Sequence, residues 1–342
     1  MRNKRNIHWT VIFLFIAMLL LILDTKTAMD AMSDAVEICL RTVIPSLFPF
    51  FIISIMLTGI LQGCGISYLR SLGRLLGIPG GCEGIFIIGL LGGYPVGAKS
   101  IAQTYDAGYL SKAQAERLLG FCCNAGPAFL FGMVGRLFDK AHIPWVLWGI
   151  HLLAAILVGI ILPKQHQSHT KILTPASVSL PEALEQSVKT MGCVCGWIVL
   201  FRVIIGFMQR WFLWLLPLEA EVLFTGLLEL ANGCIRLNQV VNPGLRFILC
   251  AVMLSFGGIC VYAQTVSLTS KTGTGMYFPG KLLQSSISAI FACILQYFLY
   301  PAAQQTAQIP LIIAVNGCLV LMLALFLRKK QNSSSNLRPI HV

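Results

Sequence analysis

Charged residues are scarce in this sequence, and no long polar stretch interrupts it. Charged side chains make up 11% of its 342 residues, whereas a typical soluble domain carries about 25%. Apolar runs recur from end to end, so no stretch of roughly 100 residues could form a separate soluble domain. The composition therefore excludes a soluble catalytic module and predicts one membrane domain with short loops.

The sequence also lacks the residue groupings of metal, redox and hydrolytic sites. Its twelve cysteines are dispersed through apolar segments without a CxxC pair, so we expect small packing residues. His166 and His169 have no acidic or cysteine neighbours and are expected in a solvated loop. No grouping of His, Ser and Asp suggests catalysis. We therefore expect no cofactor, no metal and no enzymatic activity.

Eight apolar segments are long enough to cross a bilayer, which takes about 20 residues per helix. They are 7–23, 43–63, 118–134, 144–162, 194–216, 246–265, 282–300 and 309–327. The first follows a basic hexapeptide and could be a signal peptide, but without a clear cleavage site we interpret it as a spanning helix. Two shorter stretches, 84–98 and 222–233, contain Gly, Pro or a carboxylate and are predicted to be re-entrant.

The order of these segments repeats along the chain. A long segment, a short interrupted one and two long ones occupy 43–162, and the same order returns in 194–300. Three crossings per unit would place the second unit upside down relative to the first. The prediction is an all-α polytopic membrane protein with about eight transmembrane helices and two inverted repeats, each containing a re-entrant or broken-helix hairpin.

The remaining segments complete the predicted organisation. Residues 1–42 form an N-terminal anchor and loop, 163–193 a cytoplasmic linker, and 301–342 the last transmembrane helix and a basic tail that we expect to be disordered.

Basic residues are distributed as this topology requires. With the N-terminus in the cytoplasm, the regions assigned inside hold 17 Lys and Arg residues and those assigned outside hold 5, in agreement with the positive-inside rule. The net charge of +12 is thereby explained without a nucleic-acid partner. Both termini are predicted to be cytoplasmic.

The segment 89–100, GLLGGYPVGAKS, interrupts an apolar run with four glycines and a proline. Such residues break a helix and free backbone N–H and C=O groups, which membrane proteins tolerate only inside protein or beside water. This favours a broken helix lining a cavity, although a tightly packed glycine-rich helix crossing would share the pattern. The segment nearly matches a nucleotide-binding loop, but Ala98 displaces the lysine to Lys99, and no buried strand precedes it.

The second short segment carries Glu229 and Asn232 in the sequence GLLELANG. An ionisable residue among apolar neighbours is a functional-site hypothesis by default, with a helix cap or a headgroup position as the alternatives. Two long segments add polar, glycine-bearing centres, with Asn124 and Gly126 in the first unit and Gln264 in the second. These could face one another, or the glycines could serve helix packing alone.

Four basic residues flank these elements: Lys99, Arg117, Lys271 and Lys281. They could draw an anion toward a cavity, or they could be positive-inside determinants only. Arg202 lies within an apolar segment and needs a carboxylate, a carbonyl or a route to the membrane surface, and the sequence does not decide among these.

The motifs GGYPVGAK, KAQAERLLGFCCNAGPAF, GLLELANG and SFGGICVYAQ resemble those of the sporulation integral membrane proteins of the YlbJ (SpoVV) type. That type belongs to the Gate, or nucleoside-recognition, group, which resembles concentrative nucleoside transporters. The resemblance covers about residues 40–300. The matching positions are Gly93, Tyr94, Pro95, Gly97, Lys99, Asn124, Gly126, Pro127, Glu229, Asn232 and Gln264.

The resemblance implies a role in endospore formation, with proposed movement of dipicolinate across the outer forespore membrane. We therefore expect a transporter for a small organic anion that uses alternating access around a midplane site, with H⁺ or Na⁺ as an open coupling ion. The alternatives are a nucleoside-type transporter and a non-transporting assembly protein of sporulation membranes. A homo-oligomer is left open, and a nucleic-acid partner is not expected.

Overall fold

A computed structural model describes residues 4–61, 67–165, 177–301 and 309–336. Those residues contain sixteen α-helices and no strand. The first eight are α1 Lys4–Leu23, α2 Thr25–Ile38, α3 Ile44–Leu61, α4 Arg70–Leu76, α5 Gly84–Gly92, α6 Val96–Asp106, α7 Lys112–Cys122 and α8 Pro127–Gly132. The others are α9 Ile143–Ile161, α10 Leu180–Trp211, α11 Leu218–Leu228, α12 Leu230–Arg236, α13 Pro243–Phe256, α14 Ile259–Leu268, α15 Tyr277–Leu299 and α16 Ile309–Asn336.

Six helical segments of the described chain are long and apolar enough to cross a membrane. They are Thr25–Leu61, Ile143–Ile161, Leu180–Trp211, Pro243–Leu268, Tyr277–Leu299 and Ile309–Leu327, with a shorter apolar helix at His8–Leu23. The predicted all-helical membrane architecture is confirmed, whereas the count of eight crossings and the inverted orientation stay predictions. His166 and His169, like Cys64, lie outside the described residues.

One predicted crossing, 118–134, is not a single helix. Helix α7 ends at Cys122 and α8 begins at Pro127. Pro127 has no backbone N–H, and the ring of a proline disfavours helical geometry at the residue before it. Gly126 accordingly adopts an extended conformation with φ −80° and ψ 158°. The hydropathy pattern missed this break because apolar residues on both sides outweigh the one polar residue in it, Asn124.

A second predicted crossing, 246–265, is also interrupted. Helix α13 ends at Phe256 and α14 begins at Ile259. Between them Gly257 and Gly258 have φ angles of 83° and 91°, a region open to glycine but strained for residues with a Cβ. The glycine pair therefore ends one helix and starts the next.

The two predicted re-entrant stretches are helix pairs. Helices α5 and α6 meet at Gly93–Pro95, where the Tyr94–Pro95 peptide is cis, and α11 and α12 meet at Glu229. A long helix, a short helix pair, an interrupted helix and a second long helix follow one another twice: α3, α5–α6, α7–α8, α9, and then α10, α11–α12, α13–α14, α15.

Two predicted loop regions are helical. Residues 24–42 form α2, which continues through a π-helical turn at Cys39–Val43 into α3. Helix α10 begins at Leu180, inside the predicted linker, because the Ser179 hydroxyl accepts from the Glu182 amide while the Glu182 carboxylate accepts from the Ser179 amide. This capping box satisfies amides that the first helical turn leaves free.

Helix α15 lies at the centre of the fold, packed against α7, α9, α13 and α16. At its crossing with α7, the Gly280 Cα and the backbone of Gly120 are in direct contact, which only glycine permits at this spacing. By contrast, large apolar side chains of α1 and α16 such as Phe13, Leu14 and Met322 are exposed. Such surfaces suit contact with lipid chains rather than water.

Candidate functional site

The four interruptions of the helices come together in pairs. A Cβ at Gly93 would lie 2.8 Å from the Gly126 nitrogen, so the α5–α6 turn touches the break between α7 and α8. A Cβ at Gly258 would lie 3.3 Å from the Leu228 carbonyl oxygen, so the break in α13–α14 touches the α11–α12 turn. Each unit thus packs its helix pair against its interrupted helix, backbone to backbone.

Tyr94 joins the two pairs. Its ring lies against Gly257, where a Cβ would be 2.8 Å from Cζ. Its hydroxyl donates to the Leu254 carbonyl at 3.4 Å, near the end of α13. An aromatic residue in the turn of the first unit therefore contacts the break of the second.

A cavity of about 50 Å³ lies at this junction. Four of the predicted site residues line it: Tyr94, Gly126, Glu229 and Gln264. Apolar side chains of α3 and α10, including Leu47 and Ile198, close other sides. The volume suits one or two water molecules, each of which takes about 30 Å³ in the liquid, and is far below the roughly 300–1,000 Å³ of ordinary ligand pockets.

Glu229 both lines the cavity and caps a helix. Its carboxylate accepts from the Ala231 amide at 3.1 Å and from the Asn232 amide at 2.7 Å. The Asn232 side chain adds a third hydrogen bond at 2.6 Å. The cap and the cavity position were alternatives at the sequence level, and the structure has both.

The other predicted site residues lie around the cavity without lining it. Asn124 is fully buried, and its side-chain amide donates to the Phe121 carbonyl at 2.9 Å. Gly97 contacts the Cys122 carbonyl, so it serves the crossing of α6 with α7. Lys99 points elsewhere, because its ammonium donates to Thr190 on α10 at 3.0 Å. Pro95 precedes the first residue of α6.

Lys281 was left open by the sequence between drawing an anion toward a cavity and being a positive-inside determinant, and the structure buries it in the interior of the fold. Its side chain is fully buried in α15. The ammonium donates to the Cys123 carbonyl, to Gln284 Oε1 at 2.6 Å and to the Tyr94 hydroxyl at 3.1 Å. Lys281, Gln284 and Ser288 share one face of a helix, and this spacing was the available signal.

A polar network continues from Lys281 through the core. Gln284 Nε2 donates to Asn124 Oδ1 at 2.9 Å, and the Ala125 amide donates to His151 Nε2 at 3.1 Å. The other His151 nitrogen lies 3.2 Å from the Ser255 hydroxyl. These side chains satisfy backbone groups that the break after Cys122 leaves without helical partners. Nothing in the hydropathy of α9 distinguished His151.

A larger cavity lies on the other side of the α11–α12 turn. Its volume is about 250 Å³, and its lining includes Asp34, Arg202, Thr225, Asn232 and Arg236. Arg202 donates to Asp34 at 2.8 Å, which answers the question of its partner. Arg236 pairs with Glu221 at 2.6 Å. Because Glu229 faces the small cavity and Asn232 the large one, this turn separates the two.

A third cavity lies against α5, α6 and the loop before α5. It has a volume of about 10 Å³ and is lined by residues such as Thr58, Cys82, Ser100 and Thr104. The helix pair of the first unit is therefore closely packed where that of the second unit borders an open space.

The two remaining basic candidates have structural partners. Arg117 is buried and donates to the carbonyls of Gly77, Gly159, Leu162 and Pro163. It thereby satisfies the ends of α4 and α9. Lys271 is exposed and pairs with Asp106 at 3.5 Å.

Comparison with known proteins gives one informative match. The chain is 26% identical to the sporulation integral membrane protein YlbJ of Bacillus subtilis strain 168, in an alignment that covers 81% of this chain and 79% of that protein. Over most of its length the chain is therefore similar to a sporulation integral membrane protein of the YlbJ type. No family model matches the chain, and no solved structure does. The YlbJ-type match agrees with the apolar helices in placing the chain in a membrane.

Proposed function

We propose that this YlbJ-type protein is a transporter that moves a small organic anion through the central cavity by alternating access. The observation that carries the proposal is the meeting of four helix interruptions around one cavity with polar groups. Interrupted helices are the usual frame of a transporter binding site, because they bring backbone groups and polar side chains to a solute within the membrane. A protein that only held other subunits would have no need of buried groups such as Glu229 and Gln264 at such a junction.

The unequal cavities support alternating access. The space beside the second helix pair has about 250 Å³, and the space beside the first has about 10 Å³. The central cavity between them is too small for an organic solute. In the proposed cycle this conformation has the first side closed and the second side partly open, and the α11–α12 turn at Glu229 moves to admit the solute.

The physiological role is proposed from the relative. B. subtilis YlbJ is described as a sporulation integral membrane protein, so we propose that this chain also acts in sporulation. By the resemblance described above, its solute would be dipicolinate and its location the outer forespore membrane, with both termini in the cytoplasm. The two helical units would be inverted repeats.

Uptake into vesicles tests the proposal. Purified protein is reconstituted into lipid vesicles, and saturable uptake of labelled dipicolinate is measured with and without H⁺ and Na⁺ gradients. Nucleosides serve as the competing solute class. We expect saturable uptake of the anion. Saturable uptake of nucleosides and not of the anion would instead support the alternative, a nucleoside-type transporter. Absence of saturable uptake of either class under every gradient would contradict transport and favour an assembly role.

A matched pair of variants ties uptake to the site. Glu229→Gln removes a charge at the cavity but keeps an oxygen to accept the capping bonds. Glu185→Gln removes an exposed charge that pairs with Lys189 on α10. We expect a loss of uptake of at least about tenfold in the first and wild-type uptake in the second. Equal uptake by both variants would remove Glu229 from the transport site.

A further inference from the structure

Lys281 is a buried cation that has no counter-ion among the described residues. None of the ion pairs in that part of the chain includes it. Its three partners, the Cys123 carbonyl, Gln284 and Tyr94, are all neutral. A charge held in a protein interior within a membrane is costly unless an opposite charge accompanies it. The site is therefore electrostatically incomplete.

The three partners differ in how firmly they are held. The Cys123 carbonyl is part of the backbone between α7 and α8. Gln284 is fixed by its own bonds to Asn124 at 2.9 Å and to the His151 carbonyl at 3.3 Å. Among the residues that the structure describes, Tyr94 makes one further hydrogen bond, a long one of 3.4 Å to Leu254. Of the three, the Tyr94 hydroxyl is the partner most easily replaced.

Tyr94 also stands between the ammonium and the central cavity. It lines that cavity, and the Lys281 ammonium lies 5.1 Å from the centre of its ring. A rotation of this one side chain would open a path from the cavity to the charge.

We propose that Lys281 is the anion-recognition residue of the central cavity, and that a carboxylate of the solute takes the place of the Tyr94 hydroxyl on its ammonium. The inference rests on the proposed transport function and specifies its solute class as a small carboxylate. An ammonium with two of its three N–H groups already committed offers a single charged contact rather than the two-pronged grip of a guanidinium. The solute charge would complete the pairing that the protein itself omits.

Binding of a charged solute and its neutral analogue tests this inference. Affinities for pyridine-2,6-dicarboxylate and for its uncharged diamide are measured on purified protein in lipid nanodiscs. For the wild type we expect tighter binding of the dicarboxylate. Lys281→Met should weaken dicarboxylate binding at least about tenfold and leave the diamide unchanged, so that the preference disappears. Lys281→Arg should retain part of the preference for the dicarboxylate. Lys271→Met, which changes an exposed lysine, should retain all of that preference.

Tyr94→Phe gives a test of opposite sign that does not require removing the charge. Without its hydroxyl the ammonium loses an internal partner, so the dicarboxylate should bind several times more tightly. A purely structural role for Lys281 would leave the ratio of the dicarboxylate and diamide affinities unchanged in every folded variant. That result would overturn the inference, and so would weaker dicarboxylate binding in Tyr94→Phe.

The wild type separates this inference from the proposal on which it rests. Uptake by the wild type together with an unchanged ratio in Lys281→Met overturns the inference alone. If the wild type shows neither uptake nor binding, the transport proposal is overturned, and the inference falls with it.

Discussion

Replacing Gly126 by alanine should destabilise the protein, although alanine normally favours helical proteins. A Cβ at this position would lie 2.9 Å from the Gly93 Cα and 3.0 Å from the Gly93 nitrogen. Both neighbours are backbone atoms, so they cannot turn away as a side chain would. The conformation of Gly126, with φ −80° and ψ 158°, is open to alanine, and the effect therefore comes from the clash alone.

The expected magnitude follows from overpacking. Inserting a methyl group where the surroundings cannot yield costs about 1–3 kcal/mol. Chains of 150–250 residues lose about 2–4 °C of melting temperature per kcal/mol, and longer chains lose less. The melting temperature of this chain should therefore fall by roughly 2–6 °C. Uptake should fall as well, because the same contact holds the α5–α6 turn against the cavity wall.

Gly192→Ala is the matched control. Gly192 lies in the interior of α10, and a Cβ there would meet no atom within 4 Å. Alanine should therefore stabilise by about 0.5–1 kcal/mol through its better helix propensity. The same chemical change thus carries opposite signs at the two sites.

Thermal unfolding in detergent is measured with a thiol-reactive fluorescent dye. Eleven described cysteines are free, and eight of them are buried, so unfolding exposes many reporter groups at once. Melting temperatures of both variants at or above that of the wild type would refute the contact between the two helix breaks.

Three further outcomes are expected. Arg117→Gln should lower the unfolding free energy by about 3–5 kcal/mol, because four carbonyls lose a buried charged donor. Its control, Arg74→Gln, lies at an exposed position near the end of α4 and should change the unfolding free energy by less than about 0.5 kcal/mol in the same melting assay. A double-mutant cycle of Arg202→Ala and Asp34→Ala should give a coupling of about 0.5–1 kcal/mol, since the Asp34 side chain is 55% exposed; a coupling near zero would show that the pair does not form. Glu229→Ala should speed hydrogen exchange of the Ala231 and Asn232 amides more than Glu229→Gln does, because alanine removes the cap altogether; equal exchange would contradict the capping geometry.

The amino-acid sequence predicts the class of fold and half of its interruptions. The breaks at Gly93–Pro95 and Glu229 follow from residues that an apolar helix does not tolerate easily. At the first break this is a proline flanked by glycines, and at the second it is a carboxylate. The breaks at Gly126–Pro127 and Gly257–Gly258 were hidden because each lies inside an apolar run long enough to cross a bilayer. Backbone conformation, rather than polarity, decides those two positions.

The site was predicted less completely than the fold. Tyr94 and Glu229, from the two segments predicted to be re-entrant, meet Gly126 and Gln264, from the two long segments with polar centres, at one cavity. Lys281 directly precedes the apolar segment 282–300, so the sequence could not separate a positive-inside determinant from an anion-attracting residue, whereas α15 begins four residues earlier, at Tyr277. Lys99 was expected at the cavity, and its bond to Thr190 draws it to α10. Which of two neighbouring faces a lysine takes depends on helix packing, which sequence periodicity alone does not define.

The glycine contacts between the helix breaks also bear on how such a protein can change its solute during evolution. Because the frame of the cavity is held by main-chain atoms at Gly93, Gly126 and Gly258, its shape does not depend on the identity of the side chains that fill it. Substitutions at lining positions such as Phe129 or Val261 can alter the fit for a solute without dismantling that frame. New specificities are thereby accessible through single replacements, while the glycines themselves have almost no freedom to vary.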